Sequence, residues 1–198
     1  MQTLNFYLAS LADNKMTQHF TLETERLYLR PFKDVDLFPF LQALYDSMAE
    51  LSPWLEWCDY NFTQDDAKEW IANSSVAWQT NTGYEFAVFD KRSDELLGAV
   101  ALTCLQPLFN SANLGYWIHS SYHHQGIAKE ACQAIIHFGF EDLSLTRLEI
   151  VTHMDNIPSQ QTALACGAQF EAISRNRVLV NDIPNPGYVY SIIPQDVE

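Results

Sequence analysis

The chain has 198 residues, 47% of them hydrophobic, which suits one α/β domain with a sizeable core. A net charge of −14 argues against nucleic acid as a partner, because such binding depends on neutralising phosphates with Lys and Arg; the same field would draw in a cationic amine. No apolar run reaches membrane-spanning length, and four scattered cysteines (Cys58, Cys104, Cys132, Cys166) without a Cys-x-x-Cys pair read as the free thiols of a cytoplasmic protein.

Residues 1–15 carry no basic n-region and include Asp13, against a secretory signal. They read as an N-terminal extension or an alternative start, with Leu4, Leu8 and Leu11 able to form a short amphipathic helix, and residues 16–198 read as a single domain. Leu27 and Leu29 alternate with Arg26, Tyr28 and Arg30, so residues 20–32 predict a first strand. Asp34 stands as an N-cap before Leu37, Phe40, Leu41 and Leu44, and Pro39 predicts a break between two short helical pieces. Trp54 and Trp57 follow on a loop-like segment. Thr63 caps a helix that carries Asp65 and Asp66 in its first turn, then Ala67, Trp70, Ile71 and Val76.

Residues 83–90 and 95–105 predict a strand hairpin, and Leu114–His119 a fourth strand. That strand breaks at Ser120–Gln125, and after Gly126 a helix rich in good formers begins. A strand that passes through a glycine-bearing loop into a helix start aims several N–H groups at one point, a place suited to a phosphate or pyrophosphate. Arg147–His153 is a fifth strand, Asn156–Cys166 a helix with Pro158 in its first turn, and Gly167 its stop. Residues 169–175 predict a sixth strand, residues 181–187 a Pro/Asn-rich loop, and residues 188–193 a last strand.

The run Gly115-Tyr-Trp-Ile leading to His123-His-Gln-Gly-Ile-Ala128 resembles the acetyl-CoA loop of the GCN5-related N-acetyltransferases (GNAT), in the ribosomal-protein RimJ/RimL-like branch. The opening Leu22-Glu-Thr-Glu-Arg-Leu-x-Leu-Arg-Pro31 and the Asn156-x-x-Ser159 helix are similar to the same branch, so the resemblance covers residues 20–194. It implies an α/β (α+β) fold: a mixed, mostly antiparallel sheet of about seven strands, splayed between the fourth and fifth, with helices on both faces. It also implies acetyl transfer from acetyl-CoA to a primary amine acceptor. A protein N-terminus is the branch-level acceptor, a small amine or aminoglycoside-like polycation the alternative within the class, and a silent acyl-CoA-binding module the alternative outside it. The resemblance allows a homodimer.

On that resemblance the coenzyme would be held by Ile118, His119, His123, His124, Gln125, Gly126, Ile127, Ala128, Lys129 and Asn156, and the acceptor pocket shaped by Trp54 and Trp57. A thioester is already reactive, so orientation and backbone N–H donors supply most of the help, and a general base adds roughly 10²–10⁴-fold. Glu149, Glu85 and His119 are the base candidates, with Glu85 also placed at the acceptor. Glu149 reads equally as an ion-paired strand residue. The position where many members carry an acidic tyrosine is Ala163, which leaves Ser159 to attend the departing thiolate; an acidic residue that some members use falls close to Val178. His119, His123 and His124 lack companion ligands at metal spacing, so no metal is expected.

Overall fold

The computed structural model describes residues 20–180 and 182–197, and the extension read at residues 1–15 lies outside the described residues. The first strand divides where the sequence suggested one continuous run. Leu27 N–H donates to Thr24 Oγ1 at 2.9 Å and turns the chain back on itself. β1 (Leu22–Glu23) and β2 (Leu27–Pro31) therefore pair antiparallel, Leu22 against Leu29. β3 (Tyr84–Asp90), β4 (Leu96–Gln106) and β5 (Ser111–Ile118) extend the meander. β6 (Arg147–His153) joins β5 in parallel, and β7 (Gln169–Val180) pairs with β8 (Ile183–Ile192) as a closing hairpin. The order is β1-β2-β3-β4-β5-β6-β8-β7, eight strands instead of about seven because the first one splits.

The expected loop at residues 181–187 is largely strand, since Ile183 already pairs with Val180. Beyond Gly187, β8 has outgrown β6 and keeps only β7 as a neighbour, so Pro184 and Pro186 sit on a free edge where a missing N–H costs no ladder bond.

A 3₁₀ turn at Asp34–Asp36 leads into α1 (Leu37–Asp46), followed by α2 (Met48–Leu51) and α3 (Gln64–Thr80). Asp36, not Asp34, organises this entry: it accepts from Lys33 N–H at 2.7 Å and takes both terminal nitrogens of Arg30 at 2.6 and 2.7 Å. Pro39 falls within the first turn of α1, where its lost donor is harmless, so the helix is unbroken. Thr63 caps α3 in a reciprocal box with Asp66; Val76 is exposed, and Trp78 takes the core position instead. α4 (Ile127–His137) and α5 (Ile157–Ala165) complete the helices of the described residues.

The sheet has two covered faces. Phe40, Leu44, Ile71, Ala87 and Trp117 form the core beneath α1–α3, and Leu114, Ile118, Ile135, Leu148 and Ile150 the core beneath α4 and α5. Asp36 is 3% exposed, and losing it would strand the half-buried Arg30 guanidinium between β2 and α1. Asp36→Ala should therefore lower stability by about 3–5 kcal/mol in chemical denaturation.

Candidate active site

β5 and β6 stay paired over three residues only, Ser111 with Arg147, Ala112 with Leu148 and Asn113 with Glu149. Beyond Asn113 each strand keeps its outer partner and loses the inner one: β5 remains on β4 up to Ile118, and β6 remains on β8 up to His153. The expected splay is therefore present. His119 N–H donates to Leu97 C=O at 2.7 Å, on the β4 side. By strand alternation the backbone groups of Tyr116 and Ile118 point to the opened edge. The backbone donor of His119 is spent, its Nδ1 accepts from Ser121 N–H, and its Nε2 lies 3.5 Å from Asp46, so the side chain ties the loop to α1.

At the open end the loop reaches α4 in an anion-binding shape. His124 (φ 59°) and Gly126 (φ 76°) both adopt left-handed backbone, the arrangement that makes a concave nest of N–H groups. The first helical bond runs from Glu130 N–H to Gly126 C=O, so the N–H groups of Ile127, Ala128 and Lys129 precede the ladder and need an outside acceptor. A pyrophosphate fits that need. The Ile127 side chain is buried in the core, while Gln125 and Lys129 are exposed, so the loop offers backbone more than side chains. His123 Nε2 donates to Ile118 C=O at 2.8 Å and anchors the loop to the strand end.

Two residues the sequence reading left aside hold the loop in place. Glu130 accepts from Arg26 N–H at 2.9 Å and from its Nε at 2.7 Å, and also from Thr24 Oγ1; burial pushes its pKa up, and these bonds outweigh that and hold it low. Arg26 Nη1 also donates to Gln125 C=O at 2.9 Å. The legible signal was Arg26 itself, a charged residue at the sharp end of a strand.

On the α4/α5 side, Asn156 is the N-cap of α5. Its Oδ1 accepts from Ser159 N–H at 3.1 Å, which leaves Nδ2 without a partner among the described residues. Capping thus uses one end of the amide and leaves the other available. Ser159 Oγ lies 3.0 Å from the Tyr116 hydroxyl, which also reaches Ser159 C=O at 2.9 Å. Tyr116 is the residue that motif reading missed: alternation along β5 places it on the same face as Leu114 and Ile118, pointing at α5. Burial raises its pKa well above the usual tyrosine value, so the phenol stays protonated across working pH. Ala163 is fully buried, and the Tyr116 hydroxyl reaches the same helix from the strand. Thr152, on the buried face of β6, has an unpartnered Oγ1 facing this layer.

The opposite face of the gap is an open cleft. A Cβ built on Gly115 would meet only Asn113 Nδ2, 3.9 Å away. Glu85 lies in register with Ala101 and Gly115, and Glu149 in register with Asn113 one step along, so two carboxylates flank a floor of small residues. Glu85 Oε2 is buried and has no partner among the described residues, and desolvation pushes its pKa up to about 7. Glu149 is ion-paired with Arg147 at 2.9 Å and Arg177 at 3.3 Å, and it lines a cavity of about 520 Å³ at the base of the gap. Trp54 lies 5.8 Å from His153 at the end of β6, on this face. Trp57 stacks at 6.1 Å on Trp70, which stacks on Phe40 beside Trp117. Trp54 thus packs at the end of β6, and Trp57 belongs to the aromatic stack beneath α1–α3. Among the described residues no His/Cys/Asp/Glu group could hold a metal ion.

An opened parallel pair here meets a nest-like loop and a helix start. Residues 26–169 match the acetyltransferase (GNAT) domain, and the chain belongs to that family. It is 27% identical over 170 residues to the ribosomal-protein-serine acetyltransferase of Escherichia coli (strain K12), covering 86% of this chain and 94% of that one. A solved structure of a candidate ribosomal-protein-serine acetyltransferase from Vibrio cholerae is 38% identical, with a TM-score of 0.78 over 89% of this chain and 98% of that one. RimL in complex with coenzyme A shares the fold, with a TM-score of 0.81 at 20% identity over 88% and 98% of the two chains.

Two measurements test this geometry. Tyr116→Phe and Ser159→Ala each remove one partner of the same hydroxyl pair. Each should slow a chemistry-limited turnover by roughly 10- to 150-fold, the equivalent of about 1.5–3 kcal/mol, with acetyl-CoA affinity nearly kept. A normal rate in both variants would reduce the pair to packing. Glu85 gives a pH signature. Its folded pKa lies above the ordinary carboxyl value, so the native state holds the extra proton and stability falls as pH rises from about 4.5 to about 7. Glu85→Gln should raise stability at pH 8 by about 3 kcal/mol at most, leave it near unchanged at pH 4, and flatten the profile between.

Proposed function

We propose that the protein is an acetyl-CoA-dependent N-acetyltransferase acting on a protein N-terminal α-amino group. The observation that carries this reading is the β5–β6 opening, with the N–H groups of the 124–129 loop at its mouth and carboxylates on its far face. The relatives named as ribosomal-protein-serine acetyltransferases support a protein acceptor, and with it a cytoplasmic setting.

Bound coenzyme would supply a reactive thioester. The residues of this chain then divide the work. The nest at His124–Gly126 and the first N–H groups of α4 hold the pyrophosphate. Asn156 Nδ2 and the Tyr116 and Ile118 backbone orient the arm along the gap. An amine arriving over Gly115 meets Glu85 and Glu149, either of which can hold or accept its proton. An α-amino group with a pKa of about 8 is already partly neutral near pH 7, so the base has little to do. On the other face the Tyr116–Ser159 pair donates to the departing thiolate.

Thiol release measured with acetyl-CoA and a panel of peptide N-termini, free amines and aminoglycosides tests the reading. Peptides should turn over fastest, with mass spectrometry placing the acetyl group on the α-nitrogen. Preferred turnover of free polyamines or aminoglycosides would replace the protein acceptor with a small one. Gly126→Glu puts a side chain on left-handed backbone and negative charge in the nest. It should weaken acetyl-CoA binding by at least tenfold in calorimetry while the fold persists.

A further inference from the structure

Arg177 reaches the acceptor cavity through a built irregularity in the β7–β8 hairpin. Between Ser174, paired with Gly187, and Val178, paired with Asn185, β7 carries three residues where β8 carries one. Asn176 takes φ 51° at the centre of this bulge. A Cβ on Gly187 would lie 3.2 Å from Arg177 Cβ and 3.1 Å from Val178 Cγ1, so a side chain there would press the bulge back from β8. The result sends the Arg177 guanidinium over β8 to Glu149 on β6.

The charges at that point do not form a closed set. Arg147 is spent: its Nε and Nη2 bind Glu149, and its Nη1 binds Glu171 at 2.8 Å. Arg177 touches Glu149 through one nitrogen at 3.3 Å, remains 44% exposed, and lines the cavity. Eleven Lys and Arg residues serve a chain of net charge −14, and two of them line this one cavity. The cavity begins at the Asn113–Glu149 pair, where the strands part. An acceptor whose amine reaches the gap therefore extends its following atoms over Arg177.

We propose that Arg177 is the carboxylate-binding residue of the acceptor site, and that the preferred acceptor is a peptide N-terminus with an acidic side chain within its first three residues. This rests on the acetyltransferase reading above. Such an end is dipolar. Its ammonium meets Glu85 and Glu149 at the gap, and its carboxylate meets the free edge of Arg177 a few ångströms beyond. A planar guanidinium suits that task because it can bind a carboxylate with two parallel N–H donors.

The test compares kcat/KM for matched hexapeptides that carry Asp, Asn or Lys at position two or three, using parent, Arg177→Gln and Arg177→Glu. The parent should favour the Asp peptides over the Asn peptides by about 10- to 150-fold, the worth of one hydrogen bond to a charged group. Arg177→Gln should collapse that ratio, whatever happens to the absolute rates, and Arg177→Glu should shift preference to the Lys peptides. A purely structural Arg177 would lower all peptides together and leave the ratio intact. A parent ratio within threefold of unity, or an unchanged ratio in Arg177→Gln, overturns the proposal. Calorimetry with the N-acetylated Asp and Asn product peptides, in the presence of coenzyme A, reads the same selectivity without turnover. No thiol release from any acceptor, together with Asp-selective product binding that Arg177→Gln abolishes, would sink the enzymatic reading and keep the carboxylate site.

Discussion

Everything at this site follows from the failure of β5 and β6 to stay together beyond their third pair. Buried backbone donors and acceptors must be satisfied, so an opened edge inside a sheet is costly unless something else fills it. The protein limits that cost by making each half of the sheet complete on its outer side. β4 satisfies β5 as far as Ile118, and β8 satisfies β6 as far as His153. Only the inner edges remain, and they present a polar seam to a ligand with amide groups of its own. The gap can thus stay open without the fold depending on what fills it.

The opening is useful only if its mouth is rigid. Left-handed backbone at His124 costs roughly 1–2 kcal/mol for a residue with a side chain, and the loop has to be held in that shape. Arg26, itself fixed by Glu130, holds it from the far end of the sheet through the Gln125 carbonyl, while His123 pins it to Ile118. The turn at Thr24 that splits the first strand is also what brings Thr24 and Arg26 to Glu130. An irregularity at one edge of the sheet therefore supports the anion site near its centre.

Much of this was legible in the residues. The strand–loop–Gly126–helix run announced the nest and the helix start because glycine and helix-start chemistry are local. The Thr63 cap and the Asn156 helix were legible for the same reason. What escaped was set by tertiary partners. His119 looked like an offered donor until Leu97, Ser121 and Asp46 proved to be its partners, and Pro39 looked like a break although it occupies the one turn that tolerates it. Tyr116 read as one more aromatic of a strand, since only the packing of α5 across β5 shows that its hydroxyl meets Ser159. Arg177 was invisible for a different reason. A bulge has no strong sequence signal, and Gly187 read as part of a loop when it lies in a strand beneath the side chains of the bulge.

The two faces of the gap also sort their polar groups by charge, and this gives the chemistry a direction. Toward α4 and α5 lie neutral hydroxyls: Tyr116, held protonated by burial, Ser159, and Thr152 with its unpartnered oxygen. Toward the cleft lie carboxylates and guanidinium groups: Glu85, Glu149, Arg147 and Arg177. A group transfer across the gap releases a proton on the amine side and needs a donor on the thiolate side. Carboxylates take protons and fixed hydroxyls give hydrogen bonds, so the arrangement suits transfer in that one sense. The sheet itself keeps the two sets apart, because neighbouring residues of β5 and β6 must point to opposite faces. Gly115 and Tyr116, and Val151 and Thr152, are such neighbours. The alternation that builds the core therefore also separates the carboxylate side from the hydroxyl side.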